Sequence, residues 1–365
     1  MADADGAQRI HTLDGLRGWL ALYVAVYHLA APLTQEGLAL APLKAGLSAA
    51  WWTVDMFFVM SGFVMMHVYR SVFAERVSLG EGLRFMRARW ARLYPVHVLA
   101  LVLMLPGFLR MPDHAVLWHT EGGRYSAEAF FKSLGMLHGP WMEGRSWNYP
   151  AWSISAEWHA YLLFPFLAWL MQRSFSWVPR WAPWACCVAT WLVYAWGGGA
   201  DTHPTNGVLL MWRALPLFVA GMFCRVLLHG EVRGWALAPV LTLGLLFSPW
   251  PDLAVMTCPA VLLWALSARG HAVGLSNGIS VWLGQVSYSL YMTHALVEMY
   301  VVQGGLRLAV KLGLGPLELA TGPAAALLLL ALAVALVLAE GVRRWVETPC
   351  RTVLLRIGSP PKVWA

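Results

Sequence analysis

A basic side chain and a histidine, Arg17 and His28, lie at the two ends of an apolar stretch in the segment LDGLRGWLALYVAVYH. Ionisable residues are costly inside a bilayer, so this pair indicates a functional site. In a helix that rises about 1.5 Å per residue, His28 lies roughly 16 Å deeper than Arg17, near the middle of a hydrocarbon core about 30 Å thick. The imidazole can act there as a base. The guanidinium at the membrane edge can either bind an anion or only mark the topology.

Two other apolar stretches carry polar side chains that need a partner or a function. The segment VDMFFVMSGF contains Asp55 and Ser61. A buried carboxylate needs a partner, whereas Ser61 beside Gly62 favours close helix packing over a nucleophile, because no Gly-x-Ser-x-Gly turn surrounds it. The segment WSISAEWHAYLLF places Ser153 and Glu157 on one helical face. Such a carboxylate either orients a histidine or binds a hydroxyl-bearing ligand.

Arginines are concentrated in the segment GLRFMRARWARLYPVH. Arg89 and Arg92 are three residues apart and project together if this segment is helical. Their planar guanidinium groups suit a phosphate or pyrophosphate, although they can also anchor the chain to anionic lipid headgroups. Later in the chain, SYSLYMTH places Tyr291 three residues before His294. This histidine either contacts a ligand or is satisfied within the membrane, and the pattern leaves both alternatives open.

The composition indicates which elements position these residues. The chain has 365 residues, of which 59% are hydrophobic and only 12% charged, with a mean hydropathy of +0.57. These values predict an all-α, polytopic membrane helix bundle rather than a soluble domain. The five cysteines form neither a metal-binding spacing nor a disulfide framework, so we expect no metal. The net charge of +7 comes from arginines that flank apolar spans, which excludes nucleic-acid binding.

Apolar runs separated by polar segments predict about ten transmembrane helices. A tight hairpin is expected around residues 248–252, where Ser-Pro-Trp-Pro-Asp separates two short spans. The predicted spans are approximately 16–33, 50–69, 93–110, 150–171, 182–198, 208–228, 235–249, 252–267, 281–302 and 322–342.

The distribution of positive charge predicts the orientation. If the N-terminus is cytoplasmic, the inner segments hold 18 of the 26 Lys and Arg residues and the outer ones hold 8. The positive-inside rule then places both termini in the cytoplasm. One long connection, residues 111–149, is rich in Trp and is expected to pack over the outer mouth of the bundle. We expect no removable signal peptide and a single domain, residues 1–365, without an appended soluble domain.

A set of motifs runs along the whole chain in a specific order. It consists of Arg17 with His28, DMFFVMSGF from Asp55 to Phe63, Phe85 with Arg89, Arg92 and Pro95, WSISAE from Trp152 to Glu157, Gly284 with SYSLY from Ser287 to Tyr291 and His294, and Glu347-Thr348-Pro349. Each motif is weak alone. Together they resemble the integral-membrane acyltransferase type 3 family, and the resemblance covers essentially the whole chain.

The resemblance implies a ten-span enzyme of the bacterial cytoplasmic (inner) membrane. Such an enzyme takes an acyl group, commonly acetyl, from cytoplasmic acyl-CoA and places it on a hydroxyl of a glycan, a lipid-linked sugar or a small molecule. It implies His28 as the catalytic base. It also implies Arg17, Arg89 and Arg92 as the residues that hold acyl-CoA, which is the donor substrate and not a tightly bound cofactor.

Other roles remain open at this stage. Glu157 is expected to orient the imidazole or the acceptor, and Asp55, Ser61, Ser153, Tyr291 and His294 are further site candidates. The acceptor can be a cell-surface or secreted glycan, its lipid-linked precursor, or a small molecule such as a macrolide. A transporter or flippase for a lipid-linked sugar, and a non-catalytic partner in polysaccharide assembly, are the alternatives to an enzyme.

Overall fold

The computed structural model of the chain describes residues 10–34, 40, 42–142, 144, 146–173, 179–196, 203–227, 237–267, 271, 273–313 and 321–357. Within these ranges the chain forms helices and no strands. The α-helices are α1 (His11–Ala30), α2 (Leu43–Leu47), α3 (Ala50–Tyr69), α4 (Leu79–Phe108), α5 (His114–His119), α6 (Ala127–Leu134), α7 (Trp152–Arg173), α8 (Ala182–Trp196), α9 (Gly207–Leu227), α10 (Ala238–Leu246), α11 (Cys258–Leu266), α12 (Gly278–Val297), α13 (Gln303–Lys311), α14 (Thr321–Val342) and α15 (Thr348–Arg356). Short 3₁₀ turns cover Ala31–Leu33, Tyr149–Ala151 and Pro251–Thr257, and π-helical turns cover Glu298–Val302 and Arg343–Glu347.

Four helical stretches are long and apolar enough to cross a membrane. They are Leu43–Tyr69, Leu79–Phe108, Gly207–Val226 and Gly322–Arg356, and two apolar helices, Ala182–Trp196 and Pro251–Leu266, are shorter. Helices α1, α7 and α12 have 20, 22 and 20 residues, close to the roughly 20 that a span requires, but each carries polar residues of the predicted site. Helical structure thus occurs at each of the ten predicted spans, while the number that crosses a membrane stays a prediction. Both termini, residues 1–9 and 358–365, lie outside the described residues, and so does residue 235 at the start of the seventh predicted span.

The arginine-rich segment is part of a long helix. Helix α4 begins at Leu79, well before the third predicted span at residues 93–110. Ser78 is the N-cap of α4: its hydroxyl accepts a hydrogen bond from the Glu81 amide (3.3 Å) and donates one to the Glu81 carboxylate (2.5 Å). Arg89 and Arg92 therefore project from one helix, as their spacing predicts.

Helices α1 and α12 pack backbone to backbone. A Cβ atom at Gly18 would lie 2.5 Å from the amide nitrogen of Gly284, and one at Gly284 would lie 2.3 Å from a carbonyl oxygen of α1. The two helices run parallel, because Arg17 contacts Gly284 and, further along both helices, His28 contacts His294. Glycine is needed at this crossing because any side chain would push the helices apart.

We expect Gly284→Ala to lower the free energy of unfolding by roughly 1–3 kcal/mol, because the added methyl group overlaps the backbone of α1. The thermal unfolding midpoint in detergent measures this loss. Gly278→Ala on the same helix is the matched control, since a Cβ atom at Gly278 has no neighbour within 4 Å. Equal unfolding midpoints for the two variants would contradict the close contact.

A second glycine contact joins α3 to α9. A Cβ atom at Gly62 would lie 1.8 Å from the carbonyl oxygen of Phe218, and one at Gly221 would lie 1.8 Å from that of Val59. Gly62 meets Phe218, whereas the earlier residue Val59 meets the later residue Gly221, so the two helices run antiparallel. The close helix approach that Ser61 and Gly62 predict is confirmed.

The long connection between α4 and α7 folds onto one end of the bundle. Trp147 is completely buried, and its indole nitrogen donates a hydrogen bond to the carbonyl oxygen of Ser126 (3.0 Å). Four rings surround it at centroid distances of 4.7 to 6.1 Å, those of Phe108, Trp118, Tyr125 and Phe130. The predicted packing of this aromatic connection against the bundle is therefore confirmed.

Two buried histidines lie where this connection packs against the middle of α4. The rings of His97 and His138 are parallel, with centroids 5.6 Å apart. Burial, followed by repulsion from His97, lowers the pKa of His138 to about 3. The imidazole of His138 is therefore neutral near pH 7 and contributes packing without charge.

The predicted hairpin near residues 248–252 is present. The hydroxyl of Thr242 on α10 donates to that of Thr257 in the following 3₁₀ turn (2.7 Å), which joins the two arms. Between them, Ser248 accepts a hydrogen bond from the Trp250 amide (3.0 Å).

Candidate active site

His28 of α1 and His294 of α12 lie in direct contact. Nδ1 of His28 is 3.0 Å from Nε2 of His294, and the rings stack with centroids 4.9 Å apart. His294 is fully buried, whereas His28 is half-buried. The structure thus brings together two histidines that the sequence offers as separate candidates.

The hydrogen bonds determine which nitrogen of each imidazole carries the proton. Nδ1 of His294 lies 3.3 Å from the carbonyl oxygen of Leu290, and because a carbonyl only accepts, this Nδ1 is protonated. In neutral His294 the Nε2 atom is then the acceptor, so His28 donates its Nδ1–H to it. This assignment from the hydrogen-bond network leaves the lone pair of His28 on Nε2, the atom that can accept a proton.

Tyr149 of the long connection packs on His28, and Arg124 packs on Tyr149. The Tyr149 ring packs edge-on against the imidazole at a centroid distance of 4.8 Å, and the Arg124 guanidinium lies 5.1 Å from the centre of the Tyr149 ring. The Asn148 side chain fixes this segment by donating to the carbonyl oxygen of Met292 (3.0 Å). Tyr149 and Arg124 were not among the candidates from the sequence, because sequence patterns do not indicate the path of a long connection.

The three arginines predicted to hold a coenzyme meet at the other end of α1. Arg17 and Arg89 both lie close enough to Arg92 for charge repulsion, and so does Arg351 of α15. Arg17 is held by an ion pair with Asp14 (3.2 Å). Several guanidinium groups at one place create a strong site for an anion such as a phosphate.

A carboxylate from the end of the chain partly neutralises this arginine cluster. Glu347 forms an ion pair with Arg92 and also accepts a hydrogen bond from the Ser289 hydroxyl (2.6 Å). The guanidinium of Arg92 lies 4.9 Å from the centre of the Tyr288 ring. Glu347 belongs to a motif that the sequence singled out, but its pairing with Arg92 was not anticipated.

Metal ligands and thiols do not form a second site in the part of the chain that the structure describes. No group of three or more His, Cys, Asp or Glu residues in these ranges could hold a metal ion. The five cysteines are free, and Cys187, Cys224 and Cys258 are buried among apolar side chains.

Glu157 of α7 lies among hydroxyl groups. Its Oε1 atom accepts hydrogen bonds from Ser61 (2.5 Å) and Tyr161 (2.5 Å). It also lies within electrostatic reach of Arg89, which donates to the hydroxyl of Tyr69 (2.9 Å). Its hydrogen bonds thus go to hydroxyl groups rather than to the histidine pair, and its predicted catalytic role stays a prediction.

Ser153 and Tyr291 form a hydrogen-bonded pair close to the histidines. Ser153 donates to the carbonyl oxygen of Pro150 (3.3 Å), so it accepts from the hydroxyl of Tyr291 (2.8 Å). The Tyr291 ring is 5.8 Å from that of His294, one helical turn away. These two candidates therefore belong to the same site as His294.

Asp55 is part of a buried ion pair. Its carboxylate accepts hydrogen bonds from Nε of Arg213 (2.8 Å) and from the Tyr194 hydroxyl (2.5 Å). The side chains of Asp55 and Arg213 are 0% and 1% exposed. The guanidinium also donates to carbonyl oxygens of Trp51 and Pro204. The prediction that Asp55 needs a partner is confirmed. Its contacts are those of a structural ion pair between helices.

Comparisons with known proteins identify the family of the chain. A family model described as an acyltransferase domain, that of the type 3 acyltransferases, matches residues 10–340. The chain is 27% identical to Acyltransferase MdmB of Streptomyces mycarofaciens over 95% of this chain and 93% of that protein. It is also 36% identical to Protein 2 in the picA locus of Rhizobium radiobacter over 28% of this chain and 47% of that protein. No solved structure matches it. The chain is therefore an acyltransferase that moves groups other than aminoacyl groups, and it belongs to the type 3 acyltransferase family.

Proposed function

We propose that this enzyme transfers an acyl group, acetyl in the simplest case, from acyl-CoA to a hydroxyl of a cell-surface or secreted glycan or of its lipid-linked precursor. His28 is the general base in this proposal. The observation that carries it is the hydrogen bond from His28 to His294, because it keeps the proton of His28 on Nδ1 and the lone pair on Nε2.

The proposed reaction needs a base because a sugar hydroxyl is a poor nucleophile at neutral pH. Nε2 of His28 accepts the hydroxyl proton while the oxygen forms a bond to the thioester carbonyl carbon. The carbon–sulfur bond then breaks, and the proton passes from His28 to the departing thiolate. The products are an ester and the free thiol of CoA, and His28 returns to its neutral form.

The arginine cluster supports acyl-CoA as the donor, since CoA carries a pyrophosphate and a further phosphate group. We place these phosphates on Arg17, Arg89 and Arg92, with the pantetheine arm extending along α1 towards His28. Ser61, Glu157, Ser153 and Tyr291 offer polar groups between the two ends. Because acyl-CoA is made in the cytoplasm, this proposal puts the arginines and both termini on the cytoplasmic side of the inner membrane, with the acceptor on the other side.

Release of CoA tests this proposal directly. The full chain, reconstituted in lipid nanodiscs and given radiolabelled acetyl-CoA, is expected to release CoA thiol and to pass the label to a glycoside acceptor. A thiol reagent and chromatography of the acceptor measure the two products. If neither exceeds the level with protein-free nanodiscs, acetyl-CoA-dependent O-acylation is the wrong activity.

We expect Arg89→Ala to raise the KM for acetyl-CoA by roughly ten- to a hundred-fold, because a hydrogen bond to a charged phosphate is lost. Steady-state kinetics at a fixed acceptor concentration measure the change. Arg76→Ala is the control, since Arg76 is exposed between α3 and α4 at the same end of the bundle. An unchanged KM in Arg89→Ala would mean that Arg89 does not bind the donor.

A further inference from the structure

A second set of polar groups lies beyond the histidine pair, at the end opposite the arginine cluster. Glu298 follows α12 one turn after His294, so the two share a helical face. Its carboxylate lies within electrostatic reach of Tyr125 and Tyr149. It accepts a hydrogen bond from the side-chain amide of Gln303 (2.8 Å). A half-buried carboxylate therefore stands near Tyr125 and near Tyr149, whose ring packs on the base.

Arg124 reaches the same place from the long connection. Its guanidinium lies 4.8 Å from the ring centre of Tyr125 and 5.1 Å from that of Tyr149, and one amino group donates to the carbonyl oxygen of Trp147 (3.1 Å). Its Nε–H is buried and has no hydrogen-bond acceptor among the described residues. A buried guanidinium N–H without an acceptor is costly, so it points to an acceptor atom on a bound molecule.

We infer that Arg124, Glu298 and Tyr149 form the acceptor subsite, and that it binds a sugar ring with neighbouring hydroxyl groups. This inference rests on the proposed function and names the residues that bind its acceptor. The guanidinium donates to a pair of hydroxyl oxygens, and the carboxylate accepts from a pair of hydroxyl hydrogens. The aromatic ring covers the apolar C–H face of the sugar. Because Tyr149 packs on His28, a sugar hydroxyl bound here lies next to the base.

The same groups disfavour other acceptors. A predominantly apolar alcohol would cover Arg124 and Glu298 without forming their hydrogen bonds, which carries a desolvation penalty. An anionic acceptor would pair with Arg124 but would leave the carboxylate of Glu298 facing a like charge without a donor. A neutral ring with several adjacent hydroxyl groups satisfies the positive and the negative group at once.

Two kinds of probe test the acceptor class. Wild-type enzyme in nanodiscs receives radiolabelled acetyl-CoA with either para-nitrophenyl hexosides of gluco, galacto and manno configuration or cyclohexylmethanol, which has one hydroxyl and no sugar. We expect label on at least one hexoside, at a rate about ten-fold or more above that on the alcohol. Equal transfer to the alcohol, or none to any hexoside, would overturn the inference.

Two substitutions test the subsite itself. Arg124→Gln and Glu298→Gln are each expected to raise the KM for the active hexoside by about ten-fold or more, whereas the KM for acetyl-CoA changes less than about two-fold. Arg110→Gln and Glu128→Gln are the matched controls, because both residues are exposed between α4 and α7. Arg124→Gln also removes the hydrogen bond to Trp147 and can loosen the connection. Glu298→Gln leaves that bond in place and tests the subsite independently.

The outcomes separate the subsite from the proposed function. If wild-type enzyme acetylates a hexoside and both variants keep the wild-type KM for it, the subsite is wrong and the function stands. If wild-type enzyme releases no CoA with any probe, the function itself fails.

Discussion

Replacing His28 with alanine is expected to lower the rate of acyl transfer by about a hundred- to ten-thousand-fold, the range that a positioned general base contributes. The reason is the loss of the nitrogen that accepts the hydroxyl proton, because the partner His294 uses its Nε2 to hold His28 and its Nδ1 to contact Leu290. Initial rates of CoA release with acetyl-CoA and a saturating hexoside measure the effect. Membrane insertion and the unfolding midpoint in detergent are expected to stay close to the wild-type values.

Two further variants make this experiment specific. His119→Ala removes an exposed histidine at the end of α5 and is expected to leave the rate unchanged. His294→Ala keeps His28 but removes the acceptor of its Nδ1–H, so we expect a rate between those of wild type and His28→Ala. Wild-type activity in His28→Ala would show that His28 is not the base, and wild-type activity in His294→Ala would show that His294 does not orient it.

The largest loss of stability is expected from Asp55→Asn, at roughly 3–5 kcal/mol of unfolding free energy. This substitution leaves the guanidinium of Arg213 buried without its carboxylate and weakens the hydrogen bond from Tyr194. The yield of folded protein from membranes and the thermal unfolding midpoint in detergent measure the loss.

A double variant separates the lost ion pair from the lost volume. Asp55→Leu combined with Arg213→Met removes both charges, so no buried charge is left without a partner. We expect this double variant to unfold at a higher temperature than Asp55→Asn or Arg213→Met alone. If Asp55→Asn is as stable as wild type, the pair contributes nothing to stability and Asp55 is open to a functional role.

Hydrophobic periodicity predicted where most helices lie but not how they pair. The segments around His28 and His294 were both predicted to be helical, and 266 positions separate the two residues in the chain. Their contact depends on which faces of α1 and α12 meet, and that follows from the glycines at the crossing, which a local pattern does not reveal. Each histidine was therefore identifiable alone, while the pair was not.

Two signals in the sequence mark features of the fold that hydropathy alone does not show. Ser78 and Glu81 match the sequence pattern of a capping box, and Ser78 is the N-cap that marks the beginning of α4 before the arginines, whereas hydropathy alone places it at residue 93. The predicted orientation puts Arg213 among the outer Lys and Arg residues, but it is buried against Asp55. It is the only arginine within the first half of α9, as Asp55 is the only acidic residue of α3. Two opposite charges, each isolated in an apolar helix, predict a buried pair.

Family membership resolved an alternative that the residues alone left open. The intramembrane polar groups fitted a transporter pathway as well as an enzyme, because both need polar side chains in the bundle. The match over residues 10–340 identifies an acyltransferase. Side chains from the long connection, such as Arg124, could not be assigned beforehand, since no periodic pattern fixes their position relative to the helices.

The parallel crossing of α1 and α12 has a consequence for the donor. Arg17 and His28 lie on the same helix, α1, so that helix fixes the span between them, and the crossing at Gly18 and Gly284 holds His294 beside His28. A carrier whose phosphates are held by the arginines can deliver its acyl group to the base only if its flexible arm has the matching length. The enzyme would thus select its carrier by length. Thioesters with a shorter arm would not reach the base, even though their reacting groups are identical.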